Sequence, residues 1–130
     1  MSNQDNLAHA LSAINNAEKA AKNEVVVKPA YKLILAVLEF MKKEGYVKSF
    51  DVVENTRGGE IKVKLMGNIN KVGVIKPRFS VKSTDMEKFE KRYLPARDFG
   101  RIIVSTPKGL VDHMHVKENK VGGRVIAYIY

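Results

Sequence analysis

The chain has 130 residues, 45 % of them hydrophobic and none of them cysteine. That length suits one compact domain or two small apposed halves with a real core, and the missing thiols exclude disulfide scaffolds, thiolate metal sites and thiol nucleophiles. The formal net charge of +9 and a sequence pI near 9.8 form the electrostatic footprint of a polyanion binder.

The first element reads as a helix from Asn6 to Ala21. Leu7, Leu11 and Ile14 recur at helical spacing, and Asp5 is placed to cap its first N–H groups. Val25-Val26-Val27 reads as a short β-branched strand stopped by Pro29. A second helix follows over Tyr31 to Glu44, with Ile34, Val37, Leu38 and Met41 as its buried stripe and Gly45 to end it. Tyr46 to Val53 and Ile61 to Met66 read as a hairpin turning at residues 55–59. In its second strand Ile61, Val63 and Leu65 alternate with Lys62 and Lys64, which predicts a basic outer face.

Beyond Gly67 the rhythm changes. Val72 to Val81 is strand-like and interrupted at Pro77. Thr84 and Glu87 have capping-box spacing ahead of a short helix carrying Met86, Phe89 and Tyr93. Arg101 to Thr106 reads as a strand, Pro107-Lys108-Gly109 as a loop, and Leu110 to Glu118 as one or two helical turns. Arg124 to Tyr130 alternates as a terminal strand. The expected architecture is therefore α+β: an N-terminal α/β part, α-β-α-β-β over residues 1–67, packed against a β-rich C-terminal part with short helices over 68–130.

The charge is unevenly spread. Ten Lys/Arg stand against eight Asp/Glu up to Met66, and thirteen against six beyond it. Between Ile61 and Thr84 lie Lys62, Lys64, Lys71, Lys76, Arg78 and Lys82 with no acidic residue. A merely solvated surface intersperses both signs, so this stretch is expected to face a partner. The longest apolar run, Leu33 to Leu38, falls far short of the roughly 20 residues that cross a bilayer. The start, Met-Ser-Asn-Gln-Asp, carries neither a basic n-region nor an apolar h-region, so a soluble, unexported, cytoplasmic protein is expected.

Candidates for catalysis are thin. Asp112, His113 and His115 sit close in sequence, but positions i and i+2 do not share a helix face and no third distant ligand is available. A surface helix start with Asp112 as local cap is the expected reading, and His9 is expected at the surface or its boundary. No dinucleotide or Walker glycine pattern occurs, so no enzyme, cofactor, metal or small-molecule substrate is expected. Ser105-Thr106-Pro107-Lys108-Gly109 follows a strand and combines small hydroxyls, one cation and a glycine. Such a loop can bond RNA 2′-OH groups and phosphates, and it can equally be an ordinary turn.

Four groups of residues, taken in order along the chain, carry a resemblance. They are Leu7 to Glu18, Glu44-Gly45-Tyr46, and the segment Gly67 to Phe79; the last runs from Leu94-Pro95-Ala96-Arg97-Asp98-Phe99-Gly100 through Ser105 to Gly109 and Asp112-His113 to Gly122-Gly123. On these the sequence resembles the universal small-subunit ribosomal protein family numbered eight, in its eukaryotic and archaeal form, over essentially the whole chain. The resemblance implies a structural, non-enzymatic protein with an N-terminal α/β part and a β-rich C-terminal part. It also implies binding to a helical junction in the central domain of small-subunit rRNA, early in assembly, beside neighbouring small-subunit ribosomal proteins.

Carried onto this chain, the family's main RNA reader maps to Ser105, Thr106, Lys108 and Gly109, with a second contact region at Asn16, Pro29, Tyr31 and Lys32. The basic residues Lys71, Lys76, Arg78, Arg97, Lys120 and Arg124 complete the expected RNA-binding set. Pro107 stands where family members usually carry a small hydroxyl, and Tyr31 where they carry serine. Met114-His115-Val116-Lys117 replaces the usual Glu-Glu-Ala-Arg, and Arg124 stands where many relatives have Lys or Glu. The alternative function is a free RNA-binding regulator acting on a messenger that mimics the ribosomal site.

Overall fold

In the computed structural model residues 3–54, 58–96 and 99–130 are described. The chain divides into two compact units, Met1–Val72 and Gly73–Tyr130. Both are mixed helix and antiparallel sheet, so the α+β class holds.

The first unit contains α1 (Asn3–Lys19), β1 (Glu24–Val27), α2 (Lys32–Lys43), β2 (Val47–Val53) and β3 (Glu60–Leu65). The strands form one antiparallel sheet in the order β1-β3-β2. Leu7, Leu11 and Ile14 of α1 and Ile34, Val37, Leu38 and Met41 of α2 are at most 2 % exposed, as their spacing predicts. The two helices pack on each other, and they cover the sheet through β1 and β2. Ile61, Val63 and Leu65 point into this core while Lys62 and Lys64 stay exposed, so the basic outer face forms.

Two ends differ from expectation. α1 opens at Asn3, three residues before the expected Asn6. The helix also stops at Lys19, because Ala21 turns left-handed at φ 57° and the Lys22 N–H closes back on the Ala17 carbonyl at 2.9 Å. α2 ends as predicted: Gly45 is at φ 83°, the Tyr46 N–H reaches the Met41 carbonyl and the Gly45 N–H the Lys42 carbonyl. These paired bonds satisfy carbonyls that a helix end leaves open. The expected turn residues 55–57 lie outside the described part.

The second unit's sheet has the order β4-β8-β6-β7, with β5 also pairing β8. Its elements are β4 (Val72–Val74, which begins at the division), β5 (Ser80–Val81), α3 (Met86–Tyr93), β6 (Arg101–Thr106), β7 (Gly109–Asp112), α4 (His113–Asn119) and β8 (Gly123–Ile129). Met86 and Phe89 of α3 enter a core with Ile75, Ile102, Val104, Val116 and Val125, and Tyr93 and Tyr128 stack against it at 5.2 Å between ring centroids.

Three expectations are corrected here. The Thr84/Glu87 capping box does not form. Ser83–Asp85 is a 3-10 turn, α3 begins at Met86 without a side-chain cap, and the backbone satisfies itself through Asp85 N–H to the Lys82 carbonyl at 3.0 Å. Leu110 and Val111 are strand, not helix, because a two-residue turn folds them back onto β6. The terminal strand does not alternate: Val125, Ile126 and Ala127 are all at most 2 % exposed. The β6–β8 register slips between Ile103 and Val104, inserting one residue and breaking the two-residue period.

Candidate nucleic-acid interface

The Ser105–Gly109 loop is the tip of the β6–β7 hairpin, with Thr106 paired to Gly109 across Pro107 and Lys108. Proline suits the second position of such a turn because its φ is already set. The Thr106 hydroxyl donates to the Gly109 carbonyl at 2.8 Å and accepts from the Lys108 N–H at 3.2 Å. Its single proton is therefore used inside the turn, and only an acceptor lone pair faces outward. Gly109 sits at φ 119°, where a side chain is strained, although a Cβ there meets no described heavy atom within 4 Å.

This geometry separates two variants. Thr106→Val should remove both turn bonds, lowering the melting temperature and the RNA affinity together, with Thr106→Ser restoring both. Lys108→Ala, at an exposed tip, should leave the melting temperature unchanged and weaken binding to cognate and unrelated RNA alike, with the salt slope shallower by about 1. Titrations against both RNAs, with thermal melts alongside, check the pair. Wild-type affinity in both variants would mean that the tip is an idle turn.

Beside the tip lies a shallow groove of about 550 Å³. Ser80 and Val81 of β5 form one wall, Ser105, Thr106 and Pro107 the other, and Gly122, Gly123 and Arg124 the floor. Arg124 pairs with Ser80 on one side and with Ser105 on the other, so β8 carries its guanidinium between two hydroxyl-bearing strands. At Gly123 a Cβ would come within 2.6 Å of Val104 Cγ1 and 2.7 Å of the Ser105 carbonyl oxygen. Only glycine lets the strands approach this closely. Among the described residues no acidic side chain lines the groove. Sequence reasoning missed Ser80; its one signal was its place in the acid-free run.

The remaining predicted residues are spread over both units. Asn16, Tyr31, Lys32 and Lys71 belong to the first, all exposed; Tyr31 is 40 % exposed and precedes α2 without a side-chain cap bond. Asn16's neighbours have structural duties instead: Glu18 accepts from the Ile69 N–H at 3.0 Å and Asn15 from the Val72 N–H at 3.3 Å. Lys76 and Lys120 are exposed on the second unit, Lys120 ending α4 at φ 53°. Arg78 is half-buried there, and its pKa is held below the usual arginine value by burial and then by the nearby Arg124 charge. Arg97 lies outside the described residues.

The Asp112–His115 cluster is structural. Asp112 caps α4, accepting from the His115 N–H at 2.8 Å, and lies 3.2 Å from Arg101 Nε. His113 is fully buried, not at the surface as expected. Its Nδ1 accepts from the Ile102 N–H at 3.2 Å, which leaves the neutral ring's proton on Nε2, 3.4 Å from Glu90 Oε1. Lys117 Nζ grips both Glu90 oxygens at 2.8 and 3.1 Å. Burial, the largest cause, lowers the His113 pKa, and Lys117 and Arg101 push the same way against Glu90 and Asp112.

A pH dependence follows. The unfolded chain protonates this imidazole near its ordinary 6.5, whereas the folded protein resists until lower pH. Stability is thus fully present above 6.5 and lost as pH falls below it, at no more than about 1.4 kcal/mol per pH unit for one proton. Urea midpoints measured between pH 7.5 and 5 should show this slope, and His113→Gln should flatten it. An identical slope in the variant would assign the titration elsewhere.

Among the described residues no helix is long and apolar enough to cross a membrane. The hydroxyl-and-glycine groove, the basic hairpin tip and the flanking cations suit a polyanionic ligand whose backbone approaches closely. The family model described as Ribosomal protein S8 matches residues 5–130, essentially the whole length, and the chain belongs to that family of RNA-binding, non-enzymatic ribosomal proteins.

Proposed function

We propose that this protein is a structural constituent of the small ribosomal subunit in the cytosol. It binds the central domain of small-subunit rRNA at a helical junction, supports assembly of the subunit and contacts neighbouring ribosomal proteins. The observation that carries the reading is the groove beside the β6–β7 tip, which combines Ser80, Ser105, Thr106 and Arg124 over a glycine floor with no acidic lining. Hydroxyls, backbone and one guanidinium can together read 2′-OH groups and phosphates, as recognition of structured RNA requires. The C-terminal unit is on this reading the principal RNA binder, with Asn16, Tyr31, Lys32 and Lys71 supplying contacts from the first unit.

Crosslinking in cells, followed by sequencing of the attached RNA, tests the assignment. The expected product is small-subunit rRNA from one junction, with the protein cosedimenting at near stoichiometry with small subunits. A protein found mostly free, crosslinked to a messenger, would replace this reading with that of a regulator.

A further inference from the structure

Arg78 presents a cost that nothing described inside the fold offsets. Its Nη2 atom is buried and has no hydrogen-bond partner. The Val125 N–H donates to the Phe79 carbonyl at 3.0 Å, which brings the backbone beside Arg78 against that beside Arg124, and burial and then the Arg124 charge lower the Arg78 pKa. Neither guanidinium has a carboxylate partner among the described residues. A buried unpaired donor and two like charges brought together both destabilise the free protein. An anion that meets Arg124 and the accessible part of the Arg78 side chain would remove the like-charge penalty.

The surroundings define that group. Arg124 sits on the groove floor, in register with Ser80 and Ser105, beside an open groove of about 550 Å³ that can admit a tetrahedral anion. Guanidinium forks match the paired oxygens of a phosphate, and serine hydroxyls donate to what remains. We propose that Arg78 and Arg124 together form a clamp for a single backbone phosphate of the bound RNA, at the β5–β8 side of the groove. The proposal rests on the RNA-binding reading above and assigns one shared phosphate to two residues that would otherwise count as separate contacts.

The test uses the full chain, the variants Arg78→Gln, Arg124→Gln and the double variant, and two readouts. Against a central-domain rRNA fragment each single variant should bind about tenfold more weakly. The double variant should be little worse than either, and its salt slope should fall by about 1 and not by 2. Multiplicative losses with a slope change near 2 would overturn the shared clamp, as would wild-type affinity in either single variant.

The second readout needs no RNA. At matched ionic strength inorganic phosphate should raise the melting temperature of the wild type above its value in chloride, and Arg124→Gln should abolish most of that rise. Acetate matching phosphate would overturn the phosphate assignment in favour of a carboxylate partner. No phosphate-specific rise would overturn the clamp. If the rRNA fragment fails to bind wild type while the phosphate effect holds, the RNA reading falls and the anion site stands.

Discussion

Leu38→Ala should lower the folding free energy of the free protein by about 2–5 kcal/mol, with Ile34→Ala close behind. Leu38 is 1 % and Ile34 2 % exposed, on the one face of α2 that also carries Val37 and Met41. α2 lies over β2 and against α1, so the methyl groups removed leave a void between three elements that relax only partly. Against a total stability of about 5–15 kcal/mol for a domain of ordinary size, the loss is large. Urea unfolding followed by circular dichroism measures it. RNA affinity per folded molecule should not change at temperatures where the variant remains folded, since this face is covered by protein. An unchanged midpoint with weakened RNA binding would show that the stripe meets RNA and not the sheet.

The second large effect is on binding. Affinity for a central-domain rRNA fragment should fall steeply with salt, with a log–log slope of several units. Raising monovalent salt from about 50 to 200 mM should then weaken binding by roughly a thousandfold. The motivation is the cation set Lys71, Lys76, Arg78, Lys108, Lys120 and Arg124, together with the excess of thirteen Lys/Arg over six Asp/Glu beyond Met66. Each phosphate neutralised by such a residue releases condensed counterions, and that release weakens as bulk salt rises. Filter binding across the salt range is sufficient. A nearly flat dependence would refute an electrostatic interface, and with it the role given to these residues.

Local pattern carried most of the secondary structure. The stripe Ile34-Val37-Leu38-Met41, the Gly45 cap and the Ile61-Val63-Leu65 alternation each lie within one or two turns of chain, and each formed as read. The misreadings arose where a distant partner outweighed the local signal. Leu110 and Val111 look helical until the Thr106 hydroxyl and Pro107 fold them back onto β6 as a strand. Thr84 and Glu87 have the right spacing for a capping box, but a 3-10 turn from Ser83 to Asp85 occupies the site. The run Val125-Ile126-Ala127 reads as alternation until one residue of register is inserted against β6.

The family was legible along the chain, in motifs whose order and spacing run its whole length, and so was the polyanionic character of the partner, in the net charge of +9. The sequence also located the loop at Ser105 to Gly109, but as a connection into a helix and not as a hairpin tip. That Ser80, Ser105 and Arg124 share one groove follows only from the fold, since pairing β5 and β6 to either side of β8 brings together residues at least nineteen positions apart. It alone turned the Thr106 hydroxyl inward and buried His113 against Glu90, because a polar group's role depends on which partners folding delivers to it. Helical and strand periods are local quantities and can be read along the chain; hydrogen-bond partners and groove walls are set by non-local pairing.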